Sequence, residues 1–405
     1  MNREEIDALA KNILLEHKNI LLQWATGCGK TKQAIQAIDL LDKNKVNRIL
    51  IVIAERAHRK NWTEEFKKWN NSILDNLNYD ITMVCYDSLH HHQNEHFDIV
   101  IFDESHHLGT DIRLDILRNI ISDKFILLSA TMNQNIIDEI SKIIGNVFVS
   151  TITLQQAIDW GIIPEPKIIL IPLTLDNKIT NQEIEEVRGK KDKLVTVKCS
   201  VAEKWKYIKD KKKYPNLRLI ISCTERQKYN DLEVKMDYYR RLFNMRHSES
   251  LKNKMLQYGS QRKIFLGQLK DAKAKEIISS FEGSRYICFC SNIEQADRLG
   301  GSNSIHSKKE NTQQIIDMFN NKEINSLYVV GMLKEGQNLN EIEKGLIIQL
   351  DGTTLPFIQK SGRILRSENP EIYIIYFAGT QDEVYLNRVL EHINPEYISY
   401  YENHN

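Results

Sequence analysis

Asn19-Ile20-Leu21-Leu22-Gln23-Trp24-Ala25-Thr26-Gly27-Cys28-Gly29-Lys30-Thr31 is the stretch that decides the fold. It opens as a short apolar run of strand length and passes through a loop with two glycines. Helical spacing then runs from Thr31 to Leu41. Strand, glycine loop and helix in that order make the setting of a phosphate loop. Gly27 and Gly29 let backbone N–H groups turn inward around phosphate oxygens without a Cβ clash. The following helix presents its positive end to the same anion. Lys30 is placed to reach the β- and γ-phosphates, and Thr31 to offer a hydroxyl to Mg²⁺. Trp24 stands where the first glycine of GxxxxGK(S/T) belongs, so the strict pattern is not met. The expected nucleotide contacts are Thr26, Gly27, Cys28, Gly29, Lys30 and Thr31. Beside a helix N-terminus the Cys28 thiol is expected to have a lowered pKa, and its alkylation to block nucleotide binding.

Outward from this stretch, apolar runs of strand length recur at Ile49–Ala54, Ile81–Cys85, Ile99–Phe102 and Phe125–Leu128. Helical or polar stretches separate them, which predicts a parallel sheet with crossover helices over residues 1–160. Residues 3–17 read as an amphipathic helix with Ile6, Leu9, Ala10, Ile13 and Leu14 on one face. A second α/β pattern covers 261–405, with strands at Tyr286–Cys290, Ser326–Val330, Gly345–Leu350 and Ile372–Phe377. The fold class is therefore α/β, two parallel-sheet domains in tandem. Residues 161–260 between them read as a linker and basic insertion, opened by Pro164 and Pro166 and closed by a helical lead-in over 225–258.

Within that insertion, residues 188–213 hold eleven Lys or Arg against three Asp or Glu, with Trp205, Tyr207 and Tyr214 interleaved. Lysines such as Lys204 and Lys206 suit phosphate contacts, and Trp205 or Tyr207 suits stacking on a base. A solvated hairpin is the competing account. Over all 405 residues the net charge is only +1, so nucleic acid must be held by local patches of this kind. No apolar run of about 18 residues occurs, so no membrane span is expected. The opening Met1-Asn2-Arg3-Glu4-Glu5 does not read as a signal peptide. The six cysteines form no CxxC pair and read as free thiols in a reducing cytoplasm.

A second chemical motif is Ile99-Val100-Ile101-Phe102-Asp103-Glu104-Ser105-His106. A buried strand ends in two adjacent carboxylates, at the edge of an α/β sheet where ligands bind. Asp103 is placed to hold Mg²⁺ through water, and Glu104 to polarise the attacking water. A third is Gln359-Lys360-Ser361-Gly362-Arg363-Ile364-Leu365-Arg366. Arg363 and Arg366, three apart, share a helix face, and guanidinium groups suit the spread charge of phosphoryl transfer.

Taken in order, these stretches resemble the motifs of superfamily 2 helicases and translocases of the DExH kind, with two RecA-like lobes closing on ATP and Mg²⁺. Ala25–Thr31 resembles motif I, and Asp103–His106 motif II. Ser129-Ala130-Thr131 resembles motif III, and Met332–Leu339 motif V. Gln359–Arg366 resembles the QxxGRxxR of motif VI. Ile53–Ala57, leading to Trp62, resembles motif Ia, and Cys85–Leu89 the strand-binding segment after it. The resemblance makes Arg366 the arginine finger, brings Arg363 near the γ-phosphate, and gives Gln359 the water. It implies that Ser129, Thr131, His106 and Gly336 couple the nucleotide site to movement, and that Arg56 and Tyr86 touch nucleic acid.

The implied activity is an ATP-dependent DNA helicase or translocase acting on forks or branched junctions. The character is similar to small phage repair and branch-migration helicases, working as a monomer in the host cytoplasm. An RNA helicase, or a nucleic-acid-stimulated ATPase that remodels without separating strands, is the alternative. No clear upstream adenine-reading motif is present in Arg3–Glu16, so ATP is the default nucleotide.

Overall fold

The computed structural model describes residues 1–402 except 57, 332–338, 340, 351–363, 365, 366 and 392, with backbone alone at 179–187 and 191. Six strands come first: β1 Asn19–Trp24, β2 Asn47–Ile53, β3 Tyr79–Cys85, β4 His96–Phe102, β5 Ile121–Ser129 and β6 Val147–Ile152. They form one sheet in the order β3-β2-β4-β5-β1-β6, parallel at every pairing. The apolar run of β1 is buried on both faces, as a central strand between helix layers must be. The edge strand β6 has no counterpart among the predicted strands. Burial alternates along it, so it shows no continuous apolar run.

Ten strands follow: β7 Lys167–Leu173, β8 Ile179–Arg188, β9 Val195–Ser200, β10 Leu217–Thr224, β11 Tyr286–Cys290, β12 Ser304–Ile305, β13 Ser326–Val330, β14 Lys344–Ile347, β15 Glu371–Phe377 and β16 Ile398–Tyr400. Seven of them make the second sheet, in the order β12-β13-β11-β14-β15-β7-β16 and again parallel throughout. The predicted class, two parallel-sheet domains with flanking helices, is the class observed.

The stretch read as linker is more structured than that. β7 lies inside it and pairs with β15 from Lys167 opposite Glu371 to Leu173 opposite Phe377. Residues 179–224 add a small sheet in which β10 lies antiparallel to β8 and parallel to β9. The helical lead-in is two helices, Glu225–Arg246 and Glu249–Leu269. His247 breaks them apart in the left-handed region, at φ +47°.

The N-terminal helix, Arg3–Glu16, starts with a capping box between Asn2 and Glu5. It buries Ile6, Ala10, Ile13 and Leu14, whereas Leu9 faces outward. Asp7 on this helix pairs with Lys32 and accepts from Gln33 Nε2 at 2.6 Å, tying it to the helix Lys30–Asp39. Among the described residues no helix is long and apolar enough to cross a membrane.

Candidate nucleotide site

Sheet order brings three motifs together. β1, β5 and β4 are neighbours. The glycine loop, Ser129–Thr131 and Asp103–Glu104 lie at their carboxyl ends, the edge where an open parallel sheet binds ligands.

The glycine loop owes its shape to Gly27 at φ +95° and Gly29 at φ +89°, values that a Cβ disfavours. Gly29 precedes the helix Lys30–Asp39, and no side chain caps that helix start. Its N–H groups and positive dipole end are the elements of an anion site. Lys30 Nζ donates to the Trp24 carbonyl at 2.9 Å and the Ala25 carbonyl at 3.5 Å, so the ammonium lies on the loop. Thr31 is half-buried one residue further on.

Trp24 is fully buried, and its indole N–H donates to Ser150 Oγ at 3.0 Å. It anchors the loop's entry where the strict motif has glycine. The loop is also flanked by residues that no motif flagged. Arg3 Nη2 donates to the Ile162 carbonyl at 3.1 Å, and a Cβ on Gly27 would sit 3.7 Å from Ile163.

The carboxylate pair is held firmly. The Asp103 N–H donates to the Val52 carbonyl at 2.9 Å, and the Tyr86 hydroxyl donates to the Asp103 carbonyl at 2.9 Å. Asp103 Oδ2 accepts from the Trp62 indole at 2.9 Å, and Oδ1 accepts from the Glu104 N–H at 3.1 Å. Glu104 takes a left-handed backbone, φ +48° and ψ +52°, which costs about 1–2 kcal/mol for a residue with a Cβ. Among the described residues its Oε2 is buried without a hydrogen bond, and it lies 3.3 Å from His106 Nδ1. His106 Nδ1 is 3.5 Å from Ser129 Oγ, which donates to the Thr131 carbonyl at 2.6 Å. A polar chain thus runs from Glu104 through His106 and Ser129 to Thr131.

Two positive-φ glycines, an uncapped helix start, a lysine on the loop and two carboxylates are a donor set that fits a Mg²⁺-bound nucleoside triphosphate. Among the described residues no group of three His, Cys, Asp or Glu could hold a metal alone. Thr31 and Asp103 fit a Mg²⁺ that keeps waters and phosphate oxygens in its shell.

Three expectations are corrected. Burial pushes the Cys28 thiol up to about 11, although Lys30 and Arg3 pull it down. Desolvation outweighs the attraction of the two cationic side chains there. Tyr86 is an interior residue, 2% exposed, with its ring 6.2 Å from Phe102, so nucleic acid does not reach it. Lys204 is likewise buried, its ammonium 2.9 Å from Asp231.

Arg56, Trp205 and Lys206 are exposed, and Trp205 keeps 54% of its surface. Tyr207 is half-buried, packed edge-on against Tyr214 at 5.4 Å. Gly336, Gln359, Arg363 and Arg366 lie outside the described residues.

The chain is similar to known proteins in sequence and in fold. Residues 1–134 match the family described as the type III restriction enzyme res subunit. The chain is similar to a DNA 3'-5' translocase XPB2 of Sulfurisphaera tokodaii, 22% identical over 406 residues, covering 93% of this chain and 82% of the relative. A solved Saccharomyces cerevisiae Dbp5 variant bound to Gle1 shares the fold, with TM-score 0.57 at 13% identity over 99% of this chain and 89% of that one. The Pyrococcus furiosus Hef helicase domain matches with TM-score 0.49 at 14% identity, over 95% of this chain and 96% of that one. The family match covers the first third of the chain, and the likeness to the Dbp5 structure is one of fold.

Proposed function

We propose that the chain is an ATP-driven DNA translocase or helicase, with turnover centred on Glu104. One observation carries this reading. Among the described residues Glu104 Oε2 is buried without a hydrogen bond, 3.3 Å from His106 Nδ1, at the sheet edge that also holds the glycine loop. A buried carboxylate oxygen held beside an imidazole, with no donor hydrogen-bonded to it, keeps lone pairs for a water, as a general base needs.

In this reading Lys30 and the helix start bind the triphosphate. Thr31 and Asp103 hold Mg²⁺, which when bound neutralises the phosphate charge. Glu104 takes the proton of the attacking water. Gln359, Arg363 and Arg366 complete the site from the second lobe, with Arg366 as the finger. His106, Ser129, Thr131 and Gly336 pass the change to the strand-holding surfaces.

DNA is the favoured track because the curated relative is described as a DNA translocase. Its 3′→5′ direction is the polarity we adopt. Forks and four-way junctions are the substrates we assign, in the manner of small phage helicases acting in a host cytoplasm. Glu104→Gln should cut ATP turnover by about 10²–10⁴-fold while leaving nucleotide binding in place. Turnover is to be measured with single-stranded DNA, duplex DNA and RNA, beside strand displacement on forked, four-way and RNA duplexes. Undiminished turnover in the variant defeats the assignment, and stimulation by RNA alone replaces the track.

A further inference from the structure

We infer that Trp62 is a positioning residue for Asp103, orienting its carboxylate toward the Mg²⁺ of the bound nucleotide. The inference rests on the reading of Asp103 given above. Trp62 belongs to the helix His58–Asn70, which follows β2, the neighbour of β4 in the sheet. It is 2% exposed, and its indole N–H donates to Asp103 Oδ2 at 2.9 Å. Phe66, one turn on, backs the indole with ring centroids 5.9 Å apart. His58, one turn earlier on the same face, places Nδ1 3.8 Å from the same oxygen.

An aspartate carboxylate has a broad rotational well about its last torsion. Here both oxygens are pinned, Oδ1 by the Glu104 N–H at 3.1 Å and Oδ2 by Trp62. The backbone on either side is fixed as well, by Val52 and by Tyr86. The indole is suited to this task because it only donates and does not titrate. A lysine or arginine in its place would set a full positive charge against the metal. A neutral donor fixes the carboxylate's angle and leaves its negative charge for Mg²⁺. Bulk alone would not do this, because a phenyl ring fills most of the same space and offers no N–H.

Trp62→Phe in the full chain tests this. The probe is a fluorescent, non-hydrolysable ATP analogue titrated at increasing Mg²⁺. The Mg²⁺ concentration for half-maximal binding should rise about tenfold, the worth of one hydrogen bond to a charged group. Binding at saturating Mg²⁺ should return to the wild-type level. Loss of packing alone would instead weaken binding equally at every Mg²⁺ concentration.

If Trp62→Phe does not fold, benzothienylalanine at position 62 keeps the bicyclic shape and replaces the N–H by sulfur. The same tenfold shift is expected. An unchanged Mg²⁺ midpoint in a folded variant of either kind overturns the inference and leaves the ATPase reading standing. A wild-type chain whose analogue binding ignores Mg²⁺ overturns both.

Discussion

At the residue scale, burial decides between roles that the sequence leaves equal. Trp24 breaks the strict phosphate-loop pattern, and its ring is used as an anchor on Ser150. Tyr86 and Lys204 are residue types that suit nucleic acid, yet both are interior. A tyrosine after a strand reads the same whether it faces solvent or the layer beneath. Cys28 shows the same competition in its chemistry. With the thiol pushed from 9.0 to about 11, its thiolate fraction near neutral pH is about a hundredfold lower than that of an ordinary cysteine. Iodoacetamide should therefore label Cys28 about a hundredfold more slowly than an exposed thiol at pH 8, as read by mass spectrometry. The folded state holds the proton more tightly, so this contribution to stability is complete below pH 9 and is lost as pH rises toward 11.

At the element scale, strands with continuous apolar runs were legible, and those without them were not. β1, β2, β4, β11, β13 and β15 coincide with predicted runs within a few residues. β6, β12 and β16 are edge or short strands whose existence depends on a partner. The break at His247 carries no glycine or proline, so nothing in 225–258 announces two helices. The basic segment divides in the same way. Arg188 donates to the carbonyls of Ile208, Tyr207 and Tyr214 and holds the insertion together. Lys211, Lys212 and Lys213 are exposed. Changing those three to Gln should lower the slope of log affinity against log salt by about 0.7 for each phosphate no longer neutralised, measured on single-stranded DNA. Lys204→Ala should instead cost about 2 kcal/mol of stability in a denaturant titration, because Asp231 loses a charged hydrogen bond.

At the scale of the whole molecule, the second sheet closes only through a segment placed before the insertion. β7 lies between β15 and β16 and pairs with both. A chain beginning at residue 261 should fail to fold, because β15 loses one of its two partners, β16 is left unpaired, and Ile168–Ile171 no longer covers the flank of β15. A chain beginning at residue 164 should fold, and circular dichroism with thermal melting distinguishes the two. The sequence by itself determined the α/β class, the glycine loop and the carboxylate pair. Those features are local: a glycine's φ, a strand's apolar run and a charged pair at its end are each written within a few residues. Tertiary structure alone decided that β1, β5 and β4 lie side by side. It also decided that Trp62 meets Asp103 and that β7 belongs to the distant lobe. Strand order and side-chain meeting are set by pairing and packing between segments far apart in the chain, which no single stretch of sequence records.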